Sequence, residues 1–297
     1  MDQAESLRKK AKERKSKMEV QEERVKYVEG NPVLVVAVTS GKGGVGKTNI
    51  CANLGIALSR LGKRVLIFDT DLGLANIDIL LGLKPEFNIS HVFSGEKRLE
   101  EVIVEGPEGL QILPASSGVE EVATLSEATR MDLLAQFENL DRQIDIMLLD
   151  TGAGIGTNVM YFNVSAQYIL VITTAEPTAI TDAYAMMKIL STKYQEKRFQ
   201  LLVNMVADEK EAMGVYRHLA QIANRFLDIS IDFFGFIPRD PHIPASVRQQ
   251  KAVLAAFPNA PSSKLFASLA SSILSMEIPR SPKGNIQFLW RHVLRVG

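Results

Sequence analysis

The sequence predicts an α/β protein with a doubly wound, mostly parallel sheet and helices on both faces. Between residues 32 and 276, short apolar runs alternate with amphipathic segments, which is the pattern of strand–helix–strand units. The chain of 297 residues is also long enough for one large α/β domain with a full core. Ligands bind outside the carboxyl ends of the strands in such a sheet, so functional residues are expected there.

The predicted strands are short and mostly apolar. They span residues 33–39, 64–69, 110–113, 144–149, 167–173, 199–204 and 231–237. Helical patterns fall between most of them, at 48–61, 126–139, 178–195 and 209–227. The uninterrupted apolar run of the first strand is typical of a parallel strand that is buried on both faces.

Composition narrows the possible classes of protein. Formal net charge is zero, so no overall basic field favours direct DNA binding. The single cysteine, Cys51, has no disulfide partner in the chain and is expected to be a small core residue in a reducing cytosol. No apolar run approaches the length of a transmembrane helix, and the charged N-terminus does not suit a signal peptide. We expect a cytoplasmic protein with a charged segment at 1–30, a domain at 31–277 and a final segment at 278–297.

A glycine-rich loop follows the first predicted strand. Residues 41–48 fit the pattern G-x-x-x-x-G-K-[ST], in which glycines let backbone N–H groups surround phosphate oxygens. The next helix points its unpaired N–H groups and the positive end of its dipole at the same place. Lys47 would reach the β- and γ-phosphates, and Thr48 would ligate Mg²⁺. The expected nucleotide-binding residues are Gly41, Lys42, Gly43, Gly44, Val45, Gly46, Lys47, Thr48 and Asn49.

Carboxylates follow two predicted strands. Asp69 and Asp71 point to the same side of an extended chain, where they can hold the hydration shell of Mg²⁺ and orient an attacking water. Asp150 directly follows the predicted strand 144–149 and is expected to bind the metal. The alternative is that Asp150 is a turn residue or a helix cap. The glycines in residues 151–156 allow a mobile loop that senses the γ-phosphate. The predicted metal site is Thr48, Asp69 and Asp150.

These motifs resemble those of the MinD/ParA ATPases. Residues 41–48, with the additional Lys42, are similar to the deviant Walker A motif of that family, and Asp71 lies where the family positions the hydrolytic water. Residues 148–154 have Gly152 where proline is usual, a form similar to the flagellar branch called FlhG, FleN or YlxH. The resemblance covers residues 32–276 and implies a MinD-like P-loop fold.

The resemblance implies an ATP-bound homodimer. The signature lysine of the family reaches the phosphates of the other subunit, so Lys42 would join Asp71 and Lys47 as a catalytic residue. A lysine that crosses between subunits would neutralise the repulsion between two facing triphosphates. ATP would then promote dimerisation, and hydrolysis would release the dimer.

The resemblance also suggests residues around the base and the interface. Asn204 lies where the family holds adenine, with Met205 in place of the usual arginine, and Pro238 is a second candidate beside the base. Both could equally be ordinary strand-end residues. Glu176 and Asp182 match a segment near the dimer interface, although Asp182 could simply cap a helix.

The C-terminal segment has an amphipathic helical pattern. Its apolar residues follow a spacing of i, i+3, i+4, i+7, although Phe288 breaks the pattern. Such a helix can lie in a membrane interface with arginines on anionic lipid, or it can dock on its own domain. MinD-type proteins have a membrane-targeting helix here, which favours membrane binding, and two helices in a dimer would bind far better than one. The expected membrane residues are Ile286, Leu289, Trp290, Val293, Arg291 and Arg295.

The N-terminal segment is a charged tail by composition. Residues 2–8 nevertheless resemble the DQAxxLR activator motif of FlhG, which stimulates the signal-recognition-type GTPase FlhF. Gln3, Leu7 and Arg8 are the candidate contacts. A side-chain amide such as that of Gln3 can orient an attacking water.

Together, these features favour an ATPase switch that sets flagellar number and placement, at the inner face of the cell membrane and in contact with flagellar switch (C-ring) proteins. A MinD or ParA positioning ATPase for division or chromosome partition is the first alternative. An ATP-dependent ligase or a nitrogenase-type reductase is the second, but one cysteine cannot supply the cluster ligands of the reductase. The third alternative is a nucleotide-bound scaffold that does not hydrolyse ATP, and the presence of Asp71 argues against it.

Overall fold

The computed structural model describes residues 33–71, 76–114, 127–141 and 143–277. Their strands form one eight-stranded sheet in the order β3-β4-β2-β5-β1-β6-β7-β8. Neighbouring strands are parallel except for β3 and β4. The predicted doubly wound α/β fold is confirmed. The strands are β1 Leu34–Ser40, β2 Val65–Thr70, β3 Val104–Glu105, β4 Gln111–Leu113, β5 Ile146–Ala153, β6 Tyr168–Thr173, β7 Arg198–Val206 and β8 Ser230–Pro238.

Helices connect the strands and cover both faces of the sheet. None of them, in the described part of the chain, is both long and apolar enough to cross a bilayer. They are α1 Lys47–Arg60, α2 Ile77–Leu81, α3 Ile89–Phe93, α4 Leu99–Val102, α5 Glu127–Asp141, α6 Thr157–Ser165, α7 Pro177–Tyr194, α8 Glu209–Phe226, α9 His242–Arg248, α10 Val253–Ala256 and α11 Pro261–Leu274.

The central strand β1 is buried on both sides. Val36 and Val38 pack into one apolar cluster together with residues of α1 and α11. Val35 and Ala37 face the opposite cluster, which includes residues of α5 and α6. Because side chains alternate along a strand, helices on both faces require an apolar residue at every position. This explains why residues 34–38 of β1 form an unbroken apolar run.

Strand β5 is longer than predicted. It continues past Asp150 to Ala153 because the main chain stays paired with both neighbours. Asp69 lies opposite Asp150 and Thr70 opposite Thr151, while Ser40 lies opposite Ala153. The alternative of a turn or helix-cap role for Asp150 is therefore wrong, since Asp150 lies within a strand.

The antiparallel strand β3 has only two residues and was absent from the prediction. Two residues are too few to show a period of alternation. The parallel strands all end at one edge of the sheet, which we call the carboxyl edge. The loop after β1, the acidic residues of β2 and β5, and the ends of β7 and β8 meet there.

Candidate nucleotide-binding site

The phosphate loop joins β1 to α1 and depends on glycine at two positions. Gly46 has a φ of 91°, in the left-handed region. A Cβ atom there would lie 2.6 Å from Nδ2 of Asn204, and a Cβ on Gly41 would lie 2.2 Å from the backbone of Asp182. The backbone contact at Gly41 is too close for any other residue, and a Cβ at position 46 would have to displace the side-chain amide of Asn204. No side chain in the described part of the chain caps the start of α1, so its first N–H groups can bind an anion.

Lys47 lies at the start of α1 and is buried, with 8% of its surface exposed. Burial lowers the pKa of Lys47, and the neighbouring carboxylates Asp150 and Asp71 oppose that shift. A polyphosphate next to this ammonium group would stabilise its charged form. The position agrees with the predicted role of Lys47.

Two aspartates form a buried acidic pair beside the phosphate loop. Asp69 and Asp150 are opposite each other on β2 and β5, and each has only 1% of its surface exposed. Burial raises the pKa of Asp69 to about 7, and the charge of Asp150 adds to the shift. Burial likewise raises the pKa of Asp150 to about 7, although a hydrogen bond with Thr48 and the charge of Lys47 act in the other direction.

This acidic pair fits a divalent cation. Among the described residues, none donates a hydrogen bond to Oδ1 of Asp150, although the atom is buried. Asp69 accepts hydrogen bonds from the backbone N–H groups of Asp71 (3.0 Å) and Asn76 (3.3 Å). Mg²⁺ prefers carboxylate and hydroxyl oxygens and would neutralise the excess negative charge. Thr48, Asp69 and Asp150 are therefore suitable metal ligands.

Asp71 is half-buried and lies over the segment that follows Asp150. Its Oδ1 atom is 3.5 Å from the point where a Cβ on Gly152 would stand. Its charge also acts on Lys47 and Asp150. The structure thus brings Asp71 next to the phosphate loop and to the predicted sensing loop at residues 151–156, of which residues 151–153 belong to β5.

Lys42 makes contacts that the sequence did not reveal. Its Nζ atom lies 2.8 Å from Oε2 of Glu176 and 2.9 Å from Oγ1 of Thr178. The hydrogen bond from Lys42 lowers the pKa of Glu176. Both side chains of the ion pair are largely exposed, and such pairs add little stability. Lys42 is therefore held only weakly, at the start of α7.

The alternative of a capping role for Asp182 is wrong. Asp182 lies inside α7, whose N-cap residue is Glu176. Its backbone carbonyl instead lies against Gly41. This close approach fixes the start of the phosphate loop against α7.

The ends of β7 and β8 form a wall beside the phosphate loop. Asn204 donates a hydrogen bond to the carbonyl of Val45 (2.8 Å) and accepts one from the N–H of Met205 (2.9 Å). Met205 has a φ of 57°, and its carbonyl accepts a hydrogen bond from Nε of Arg239 (2.8 Å). Pro238 is paired with Val206 in the same region. The structure therefore brings Asn204 and Pro238 to the site and adds Arg239, which no motif indicated.

Other predicted residues lie outside the described part of the chain. These are the GTPase contacts Gln3, Leu7 and Arg8, which precede residue 33, and the membrane residues, which follow residue 277. The structure does not bear on those predictions. The same holds for the residues between Asp71 and Asn76.

Comparisons with known proteins match most of the chain to one family. Residues 36–253 match the CobQ/CobB/MinD/ParA nucleotide binding domain. Antiactivator FleN of Pseudomonas aeruginosa is 41% identical over 258 residues, which cover 87% of this chain and 92% of FleN. Flagellum site-determining protein YlxH of Helicobacter pylori is 37% identical over 252 residues, 82% of this chain and 85% of YlxH.

A solved structure shows the same fold. The structure of the MinC:MinD cell division protein complex of Aquifex aeolicus superposes with a TM-score of 0.67 and 26% identity. The match covers 85% of this chain and 100% of the compared one. With its phosphate loop, its buried acidic pair and these relatives, the chain belongs to the MinD/ParA family of nucleotide-binding ATPases, in the branch of FleN and YlxH.

Proposed function

We propose that this protein is an ATP-dependent dimerising switch that hydrolyses Mg·ATP and regulates flagellar number and placement. The observation that supports the chemistry best is the meeting of the phosphate loop, the acidic pair and Asp71 at one edge of the sheet. The flagellar role is supported by the similarity to an antiactivator, FleN, and to a flagellum site-determining protein, YlxH.

Each group of residues would have a separate role in hydrolysis. Backbone N–H groups of the phosphate loop and Lys47 would bind the β- and γ-phosphates. Mg²⁺, held by Thr48, Asp69 and Asp150, would neutralise charge on the phosphate oxygens. Asp71 would orient the attacking water and take its proton, and ATP and water would give ADP and phosphate.

Dimerisation would complete the site through Lys42. The exposed contacts of Lys42 with Glu176 and Thr178 are easily exchanged for a phosphate, because solvent-exposed ion pairs are weak. A second subunit facing the carboxyl edge would receive this lysine. ATP would thus favour the dimer, and hydrolysis would release it.

The ends of the chain would connect this switch to its partners. The described residues end at Glu277, whose carbonyl accepts a hydrogen bond from the hydroxyl of Tyr168 (2.7 Å). We place the amphipathic segment after it on anionic lipid at the inner face of the cell membrane. The segment at residues 2–8 would stimulate the GTPase FlhF, and flagellar switch proteins are further candidate partners.

A MinD-type positioning ATPase is the second candidate, because the superposition with MinD covers most of the chain. The two functions can be separated by an assay with FlhF. We expect a peptide of residues 1–20 to accelerate GTP hydrolysis by FlhF, and the same peptide with Gln3→Ala to be inactive. If neither the peptide nor the full-length protein accelerates hydrolysis, the MinD-like function is favoured.

A further inference from the structure

Three buried polar side chains behind the phosphate loop have no part in the chemistry described above. Thr39 is on β1, Thr151 is on β5 and Asn163 is on α6, and at most 1% of each is exposed. Thr39 comes shortly before the phosphate loop, whereas Thr151 directly follows Asp150. Asn163 lies on the helix that follows residues 151–156, which we call the sensing loop.

The three side chains meet at one oxygen. Oγ1 of Thr39 accepts a hydrogen bond from Nδ2 of Asn163 (3.0 Å) and lies 2.9 Å from the hydroxyl of Thr151, for which it is the nearest acceptor. The same hydroxyl also lies within reach of the carbonyls of Gly152 (3.1 Å) and Val38 (3.2 Å). The amide orientation of Asn163 is fixed, because Nδ2 also donates to the carbonyl of Val159 (2.8 Å). The proton of Thr39 points to the sulfur of Met186 (3.6 Å).

The segment that begins the sensing loop and the helix that follows it therefore both contact the same hydroxyl group. Thr151 connects the start of the loop to the hydroxyl of Thr39, and Asn163 connects the following helix to it. Between these points, Gly154 donates a backbone hydrogen bond to the carbonyl of Ser40 (2.9 Å), and Ile155 is 53% exposed. The loop is fixed at its ends and open to solvent in its middle.

The amide of Asn163 also has an unused acceptor. Its Oδ1 atom is buried, and no donor in the described part of the chain reaches it. A buried acceptor without a partner is unfavourable. A movement of the loop or of α6 that brought an N–H group to this oxygen would therefore be favoured.

We propose that Thr39 is a positioning residue whose hydroxyl couples the sensing loop to the phosphate loop. Because Thr39 lies on the strand that enters the phosphate loop, nucleotide binding that shifts this strand moves both attachment points of the sensing loop together. The inference rests on the proposed function, in which the sensing loop responds to ATP. It assigns the coupling to one hydroxyl that does not itself touch the nucleotide.

The test compares variants of the full-length chain. Thr39→Val keeps the shape of the side chain but removes the hydroxyl, while Thr39→Ser keeps the hydroxyl. Thr173→Val is a matched control, since Thr173 is a fully buried strand-end threonine. Among the described residues, its hydroxyl makes a single long contact, with the carbonyl of Thr174 (3.4 Å). ATP affinity is measured with a fluorescent analogue, and dimerisation by sedimentation.

We expect Thr39→Val to bind ATP like the wild type and to dimerise about tenfold more weakly, because Thr151 and Asn163 lose the acceptor that they share. Thr39→Ser and Thr173→Val should dimerise normally. Wild-type dimerisation by Thr39→Val would overturn the inference. A defect shared with Thr173→Val, or not rescued in Thr39→Ser, would assign the effect to packing and would also overturn it.

Hydrogen exchange separates this inference from the proposed function. ATP should slow amide exchange in residues 152–156 of the wild type, and Thr39→Val should reduce that protection. This result would support the inference even if the wild-type protein did not dimerise with ATP. Equal protection in both proteins, or no protection in the wild type, would overturn it.

Discussion

At the scale of single residues, the motifs located the chemistry but not its supporting contacts. Glycine at 46 and aspartate at 71 are each recognisable from local spacing. The contacts of Lys42 with Glu176 and of Asn163 with Thr39 join residues more than 120 positions apart in the chain. No local pattern contains such pairs, so only the fold could reveal them.

Gly46→Ala should weaken ATP binding. The left-handed φ of 91° strains any residue with a Cβ by about 1–3 kcal/mol, and the new atom would collide with Asn204. Gly62→Ala is the matched control, because Gly62 also has a positive φ, of 78°, but has open space around it. Binding of a fluorescent ATP analogue should fall at least about tenfold only in the Gly46 variant. Equal affinities for the two variants would contradict this role.

At the scale of elements, the sequence predicted the central strands β1, β2, β5 and β6 well, because they are buried on both faces and carry runs of consecutive apolar residues. It failed at the end of β5, where Thr151–Ala153 are polar or small and stay in the sheet through pairing with β1. This extension matters for the site. It places Asp150 opposite Asp69, and the proximity of two buried carboxylates could not be derived from either strand alone.

The acidic pair predicts an unusual dependence of stability on pH. Burial raises the pKa of Asp69 and Asp150 from 3.8 to about 7 in the folded protein. Between about pH 4 and 7 the metal-free folded state therefore binds more protons than the unfolded state. The pair consequently lowers the free energy of unfolding as the pH rises, by at most about 1.4 kcal/mol per pH unit for each group.

Asp150→Asn tests this dependence. The variant lacks one of the two carboxyl groups whose pKa is raised. As the pH rises from 5 to 7.5, the free energy of unfolding of the variant should therefore increase relative to that of the wild type. Urea unfolding in the presence of a chelator measures the difference, and adding Mg²⁺ should stabilise only the wild type. A difference that is constant or that falls with pH would show that the buried pair is not protonated in the folded protein.

At the scale of the whole molecule, the sheet brings distant segments to one edge. The phosphate loop follows β1, the acidic residues lie on β2 and β5, and the wall beside the loop comes from β7 and β8. Parallel pairing places all these strand ends at the same edge. Once the fold class was predicted, the location of the site could therefore be predicted from it. The sequence did not indicate Arg239 or the contacts of Asp182, because these depend on how strands and helices meet after folding.

The central claim is that ATP joins two copies of this chain and that hydrolysis separates them. The most direct test is sedimentation of Asp71→Ala with ATP, alongside the wild type and Lys42→Ala. Because Asp71 lies beside the phosphate loop but is not among its anion-binding groups, we predict that the variant dimerises with ATP and hydrolyses none. Lys42→Ala should remain monomeric. An Asp71→Ala protein that stays monomeric with bound ATP, or that still releases phosphate, would contradict the account.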